Sequence, residues 1–138
     1  MKTYLSNHVE AGSIFHVEYL NYKGKARKHY FFCIYSQSDD DNNLLFEDVV
    51  GLLISTNKKF GRLDAKGYND YNVEVLINNR KAWVCTDKSY RFSLTDKKIK
   101  LTPKIIKLTT KEKEDVLARY TRFYLEATRQ LLENAKKT

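Results

Sequence analysis

A single proline, five glycines, two cysteines and one tryptophan are spread over 138 residues, and each scarcity excludes something. So little glycine and proline rules out a collagen-like or linker-like chain. No composition shift, internal repeat or low-complexity stretch marks a boundary. Residues 1–138 therefore read as one domain around one core. Cys33 and Cys85 both fall inside apolar, strand-like runs, which points to free buried thiols and a cytoplasmic protein. With only His8, His16 and His29 beside them, no metal-ligand spacing exists, so no metal or other cofactor is expected. No apolar run approaches the roughly 18 to 20 residues of a membrane span, so no membrane partner is expected. The start, Met1 to His8, lacks the apolar core of a signal peptide.

Charge and aromatic rings are what the chain has in plenty. There are 25 Lys and Arg against 17 Asp and Glu, a net charge of +8, together with ten tyrosines and seven phenylalanines. Residues 1–50 are slightly acidic, so residues 51–138 carry the whole basic excess. A basic, aromatic-rich chain of this kind favours a polyanionic partner, nucleic acid first. Lysine kept only for solubility is the plainer explanation of the same charge.

The stretch Val49-Val50-Gly51-Leu52-Leu53-Ile54 reads as a strand buried on both faces. It runs straight into Ser55-Thr56-Asn57-Lys58-Lys59, two hydroxyls, an amide and two ammoniums. Hydroxyls donate to phosphate oxygens and lysines neutralise them, so the strand surfaces at an anion-facing rim or simply at a solvated turn.

Around this strand the chain reads as about five strands followed by one helix. Gly12 to Leu20 alternates, with Phe15, Val17 and Tyr19 on one face and Ile14, His16 and Glu18 on the other. Asn21 to Lys28 is a basic loop holding Lys23, Lys25, Arg27 and Lys28. His29 to Ser36 is an aromatic strand, Gln37 to Asn43 an acidic loop, and Leu44 to Thr56 the central strand. Tyr71 to Ile77 and Ala82 to Leu94 are two more strands, the second bent near Asp87. Asn78-Asn79 suits the tight hairpin between them, because Asn tolerates positive φ. Pro103 argues against a helix over Ile99–Leu108 and suits a short edge strand at Ile105–Leu108. Thr109 with Glu112 has the form of a capping box, opening a helix over Thr110–Ala135. Val116, Tyr120, Phe123, Ala127 and Leu131, joined by Leu117 and Tyr124, form its apolar stripe. The fold class is mainly β with a long C-terminal helix: a small, strongly bent antiparallel sheet or partly open barrel.

In this order the motifs resemble the MazF/PemK family of toxin endoribonucleases. The resemblance runs from Gly12 to the final helix. Gly12-Ser13-Ile14 is similar to the family's opening Gly-x-Ile strand, and Lys28 to Ser36 to its Arg-Pro-apolar strand. Leu52 to Asn57 is similar to the strand ending in Thr or Ser, Ala82 to Lys88 to the strand ending in Asp-Gln, and Asp96-Lys97-Lys98 to the turn before the last helix. The resemblance implies an SH3-like barrel and a homodimer held in check by a cognate antitoxin. It implies metal-independent, sequence-specific cutting of single-stranded RNA through 2′-hydroxyl attack. The family's arginine maps to Arg27, Lys28 or His29, and its hydroxyl to Ser55 or Thr56. Arg-Pro itself is replaced by Arg27-Lys28-His29-Tyr30, and Lys88 follows Asp87 where Gln is usual. Toxins of the same fold that poison a protein target such as a topoisomerase, and a plain single-strand binding module, are the alternatives.

Such cutting needs a base, a cation and a donor to the phosphate. The candidate catalytic residues are Arg27, His29, Ser55, Thr56 and Asp87. Histidine is the residue type that titrates near neutral pH, and Asp87 could act as a base or hold His29 in one tautomer. Lys23, Lys25, Lys28, Lys58, Lys59, Tyr90 and Arg91 are the candidate RNA contacts, the ring and guanidinium by stacking on bases.

Overall fold

The computed structural model describes residues 9–36, 48–61, 71–93, 98–104 and 106–137. Six strands are present: β1 (Ile14–Leu20), β2 (Ala26–Ser36), β3 (Asp48–Ser55), β4 (Asn72–Ile77), β5 (Arg80–Ser93) and β6 (Ile99–Pro103). One helix, α1 (Thr110–Lys136), follows them. All pairings are antiparallel, in the order β4-β5-β3-β2-β1-β6, and β4 and β6 are not joined among the described residues. The sheet is therefore open, not closed into a barrel. β3 lies inside it, with Val49, Gly51, Leu52 and Ile54 buried. That accounts for the continuous apolar run, since a strand with neighbours on both sides and cover on both faces presents little to water; Val50 and Leu53 are half-buried.

Two hairpins set the register. Asn78 and Asn79 both have positive φ, 51° and 64°, between the paired Ile77 and Arg80. This is the two-residue turn whose twist matches its strands. The β1–β2 turn is tighter than the sequence suggests. The Asn21 side chain accepts from the amides of Lys23 and Lys25, and Gly24 takes φ 77°. With the turn closed over Asn21–Lys25, residues Ala26, Arg27 and Lys28 belong to β2 and not to a loop.

β5 bends where expected. Leu52 faces Ser89 but Leu53 faces Cys85, so Thr86, Asp87 and Lys88 are extra on β5. Extra residues on one strand force a local kink. The last strand is misplaced by the sequence reading: it is Ile99–Pro103, and Ile106–Leu108 is not a strand. Proline sits at the end of an edge strand, where its missing N–H disrupts no ladder. Leu44 to Glu47, the Gln37–Asn43 loop, Leu94, Asp96 and Lys97 lie outside the described residues.

Side chains fill both faces. On the helix face, Ile14, Phe32, Leu52, Val75 and Val84 pack with Leu108 and Val116. On the reverse face, Val9, Phe15, Val17, Phe31, Cys33 and Leu101 form a second cluster. Burial pushes the Cys85 thiol up to about 11, so this cysteine is packed and unreactive.

The helix is tied to β4 by its cap. Thr109 and Glu112 form the full capping box, and the second Glu112 carboxylate oxygen accepts from the Leu76 amide at 2.8 Å. Tyr71 donates to Glu126 and meets Phe123 edge-on at 5.1 Å. Beyond that the helix outruns the sheet. At 27 residues it is about 40 Å long. Val116 is its one buried residue, Tyr120 and Phe123 are half-buried, and every residue from Tyr124 to Lys137 is exposed. The apolar stripe is thus only partly core.

Glu112→Ala is expected to cost about 2 kcal/mol in urea unfolding, because it removes half of the cap and a charged acceptor for β4. Burial alone would raise the Glu112 carboxyl, but the hydrogen bonds from Thr109 and Leu76 outweigh it and hold the group below its usual range. A carboxylate with a depressed folded value stabilises above its unfolded value and loses that contribution as pH falls through the folded one. The wild type should therefore lose more stability than Glu112→Gln on acidification through the carboxylate range. Parallel curves for the two would contradict this.

Candidate RNA-binding groove and rim

Strand direction gathers one set of termini at one end of the sheet. The β1–β2 hairpin, the end of β3, the β4–β5 hairpin and the start of β6 all lie there, because Leu20 pairs with Ala26, Tyr19 with Ile99, Ser55 with Trp83 and Ile77 with Arg80. Lys23, Lys25, Arg27, Lys58, Lys59, Arg80, Lys81 and Lys98 are all at or beside this end. Glu74 is a carboxylate near it, 4.0 Å from Lys81. The far end carries Asp48, 3.7 Å from Arg91. The rim is consequently the positive end of the molecule.

Alternation along β2 divides its polar residues. Arg27, His29 and Phe31 share the reverse face; Lys28 and Tyr30 share the helix face, where Lys28 meets Glu18 at 3.9 Å. The β2–β3 pairing runs as far as Tyr30–Ile54, and His29 and Ser55 are the next residues beyond that pair. The β2 start and the β3 end thus lie at the same end of two adjacent strands.

His29, but neither Arg27 nor Ser55, lines a groove of about 510 Å³ on the reverse face, with Tyr19, Phe31, Tyr90, Phe92 and Lys98 among its other walls. Tyr19 stacks on His29 with centroids 6.0 Å apart, and Tyr90 meets Phe31 at 5.7 Å. Phe92 closes against Phe31 at 4.8 Å. Tyr90 remains 45% exposed, with Phe92 nearly parallel to its ring at 6.5 Å on one side. An apolar, aromatic cleft with a few polar groups at its edge is the usual form of a binding site.

Other predicted residues fall elsewhere. Arg91 alternates away from Tyr90 and pairs with Asp48, so the two do not form one stacking surface. Ser55 Oγ accepts from the Asn57 amide at 3.1 Å, and Asn57 Oδ1 accepts from Lys59. These bonds start the 3-10 turn Lys58–Gly61, which covers Trp83. Ser55 thus shapes a turn, although its hydroxyl proton is still available to a phosphate. Thr56 borders a different cavity of about 730 Å³ with Lys58, Arg80, Lys81 and Trp83. Asp87 sits in the β5 bend with Oδ1 buried and unpartnered, and no hydrogen bond joins it to His29. Lys59 and Lys88 flank the Phe60 ring at 5.0 and 5.8 Å.

Sequence reading missed Tyr19, Arg80 and Lys98. Tyr19 could have been found, since it shares a face with Phe15 and Val17 on β1 and lies across from Arg27. Among the described residues no group of three His, Cys, Asp or Glu side chains is placed to hold a metal ion. No helix among them is long and apolar enough to cross a membrane.

Fold and groove together define a small open β-sheet with one docked helix and an aromatic cleft beneath a basic rim. No family model matches the chain, and no curated protein matches it.

Proposed function

We propose that the protein binds single-stranded RNA in the reverse-face groove and cuts it without a metal, as a toxin endoribonuclease of the MazF/PemK kind. The observation that carries this is the joining of His29 to open aromatic rings under a cationic rim. Single strands are held by base stacking on aromatics and by cations along the backbone, which is what Tyr90, Tyr19 and the rim offer. In the reaction the RNA 2′-hydroxyl gives its proton to His29 and attacks the adjacent phosphorus. Arg27 and Lys98 offset the charge that grows on the phosphate oxygens, and the Ser55 hydroxyl donates to one of them. The P–O5′ bond breaks, the 5′-oxygen takes a proton from solvent, and a 2′,3′-cyclic phosphate remains. The SH3-like barrel of that family belongs to this reading only; the six described strands form an open sheet.

A second reading is binding without cutting. It is favoured by the separation of Asp87 from His29 and by the engagement of Ser55 with Asn57. Both readings require binding, and binding should weaken steeply with salt, because each neutralised phosphate releases counterions. Fluorescence anisotropy with a labelled single-stranded RNA should give a log–log slope of about −0.7 per phosphate contact. A flat response to salt would remove RNA as the partner.

The exposed half of α1 is the proposed contact for a second subunit. Leu117, Tyr124, Leu125, Leu131 and Leu132 are all exposed, with Ala118, Thr121, Thr128 and Ala135 between them on one uncharged face. Light scattering should give twice the 16.3 kDa chain mass. A mass equal to the single chain at micromolar concentration would contradict the dimer. A cognate antitoxin and a cytoplasmic setting complete this reading.

A further inference from the structure

The helix face carries a separate group of polar side chains at the β1–β6 edge. His16 lies across from Tyr30 on β2 and Thr102 on β6; two residues on, Glu18 lies across from Lys28 and Lys100. All six side chains share one face by alternation. Lys104 follows β6 directly, its amide donating to the Ile14 carbonyl at 2.9 Å.

His16 is the unusual member, at 4% exposure. Its Nε2 sits 3.4 Å from Glu18 Oε1, and Lys28 Nζ lies 3.9 Å from the same oxygen. Tyr30 meets the imidazole edge-on at 5.8 Å. Nδ1 is buried without a hydrogen-bond partner. Burial first, then the Lys104 and Lys28 ammoniums, with Lys100 adding and Glu18 opposing, holds this ring below the usual histidine range. Lysines on an edge strand often serve only to prevent sheet-to-sheet association. That would explain Lys100 and Lys104 alone. It does not explain a buried imidazole beneath them with one nitrogen on a carboxylate and the other unsatisfied, an arrangement that costs stability.

We propose that Lys28, Lys100 and Lys104 around His16 form a second anion site, taking a doubly charged tetrahedral oxyanion of the phosphate or sulfate type, with one proton taken up by His16 on binding. The site is on the opposite face from the RNA groove and stands independently of it. Three ammoniums face one carboxylate, so a dianion completes the charge balance. Its arrival offsets the ammonium repulsion that, after burial, holds the imidazole neutral. The proton adds to Nδ1, which then donates to an oxygen of the anion, while Glu18 accepts from Nε2–H. Anion binding and proton uptake therefore favour each other by linkage. The anion's source is either the free ion or the terminal phosphate monoester of a nucleotide.

Side-chain ¹⁵N NMR of the full chain tests this, with sodium sulfate titrated against sodium chloride at constant ionic strength. Sulfate keeps both charges across the pH range used, so any proton uptake belongs to the protein. The expected result is a saturable shift of His16, with His29 unmoved, and a His16 titration midpoint raised by about one pH unit. Lys100→Ala and Lys104→Ala should each weaken sulfate about two- to fivefold, while Lys111→Ala at the opposite edge should not. Lys100 is exposed, so its removal tests the site without disturbing the core. Inorganic phosphate and a nucleoside 5′-monophosphate identify the source. Equal affinities assign the site to the free ion and tighter nucleotide binding to a terminal phosphate, and either result supports the site. An equal shift with chloride, a response at His29 alone, or wild-type sulfate affinity in Lys100→Ala overturns it.

Discussion

His29→Ala is expected to slow RNA cutting by about 10²-fold or more while leaving RNA affinity within a few-fold of wild type. The two quantities separate because His29 has a different task from its neighbours. A positioned base acts mainly in the transition state and is worth about 10² to 10⁴ in rate. The rings of Tyr19, Tyr90 and Phe31 and the rim cations remain to hold the strand. Tyr90→Ala should show the converse. It removes a base-stacking surface worth about 1–3 kcal/mol, so affinity falls about tenfold or more with less change in the rate of the bound complex. Single-turnover cleavage and anisotropy on each variant measure the two effects, after circular dichroism shows both folded. A His29→Ala protein that cuts at the wild-type rate would mean that the base lies elsewhere.

Gly51→Ala should destabilise the fold by about 3 kcal/mol, the upper part of the usual range for overpacking a core. Gly51 lies in β3 between Cys33 and Tyr90. A Cβ at this position would sit 2.7 Å from Phe15 Cζ and 2.7 Å from Phe31 Cβ. Phe15 and Phe31 stack 5.6 Å apart over the missing side chain. The Phe31 Cβ cannot move without shifting β2, so the clash is not relieved by a rotamer change. Phe15→Leu in the same chain should recover part of the loss, giving a coupling energy between the two sites. An unchanged urea midpoint for Gly51→Ala would contradict the packing described for the reverse face.

Local rules carried much of the fold. Asn78-Asn79, the Thr109–Glu112 box and the bend at Asp87 each act within a few residues, so sequence alone exposes them. The errors are of another kind. Arg27 and Lys28 look like loop residues because they are charged, yet pairing to Tyr19 and Glu18 across the hairpin makes them strand. The strand before the helix was shifted because Pro103 reads as a break, while at an edge it is a tolerated last residue. The exposed half of α1 has the same amphipathic pattern as the docked half. Periodicity reports that a face is apolar, and it does not report what covers that face.

The residues of the candidate site follow a similar pattern. Strand ends separated in sequence can share a rim, and the β2 start with Arg27 and His29 lies at the same end of the sheet as the β3 end with Ser55, whereas Asp87 lies within β5 and not at a strand end. Tyr90 and Arg91 were grouped by adjacency, which alternation on a strand undoes. The expected pairing of Asp87 with His29 is not made: Asp87 lies in the β5 bend with Oδ1 buried and unpartnered. Lys98 reaches the rim only through the pairing of β6 with β1, a contact with no local signal, whereas Arg80 closes the Asn78-Asn79 hairpin that the sequence does expose.

The claim that this protein cuts RNA with its own side chains is tested most directly by one assay. A long unstructured RNA is incubated with the purified full chain in excess EDTA, and the ends of the fragments are identified. The account predicts cutting at discrete sites, with a 2′,3′-cyclic phosphate on one side and a 5′-hydroxyl on the other. RNA that is bound but left whole, or cutting that stops in EDTA and returns with magnesium, would contradict it.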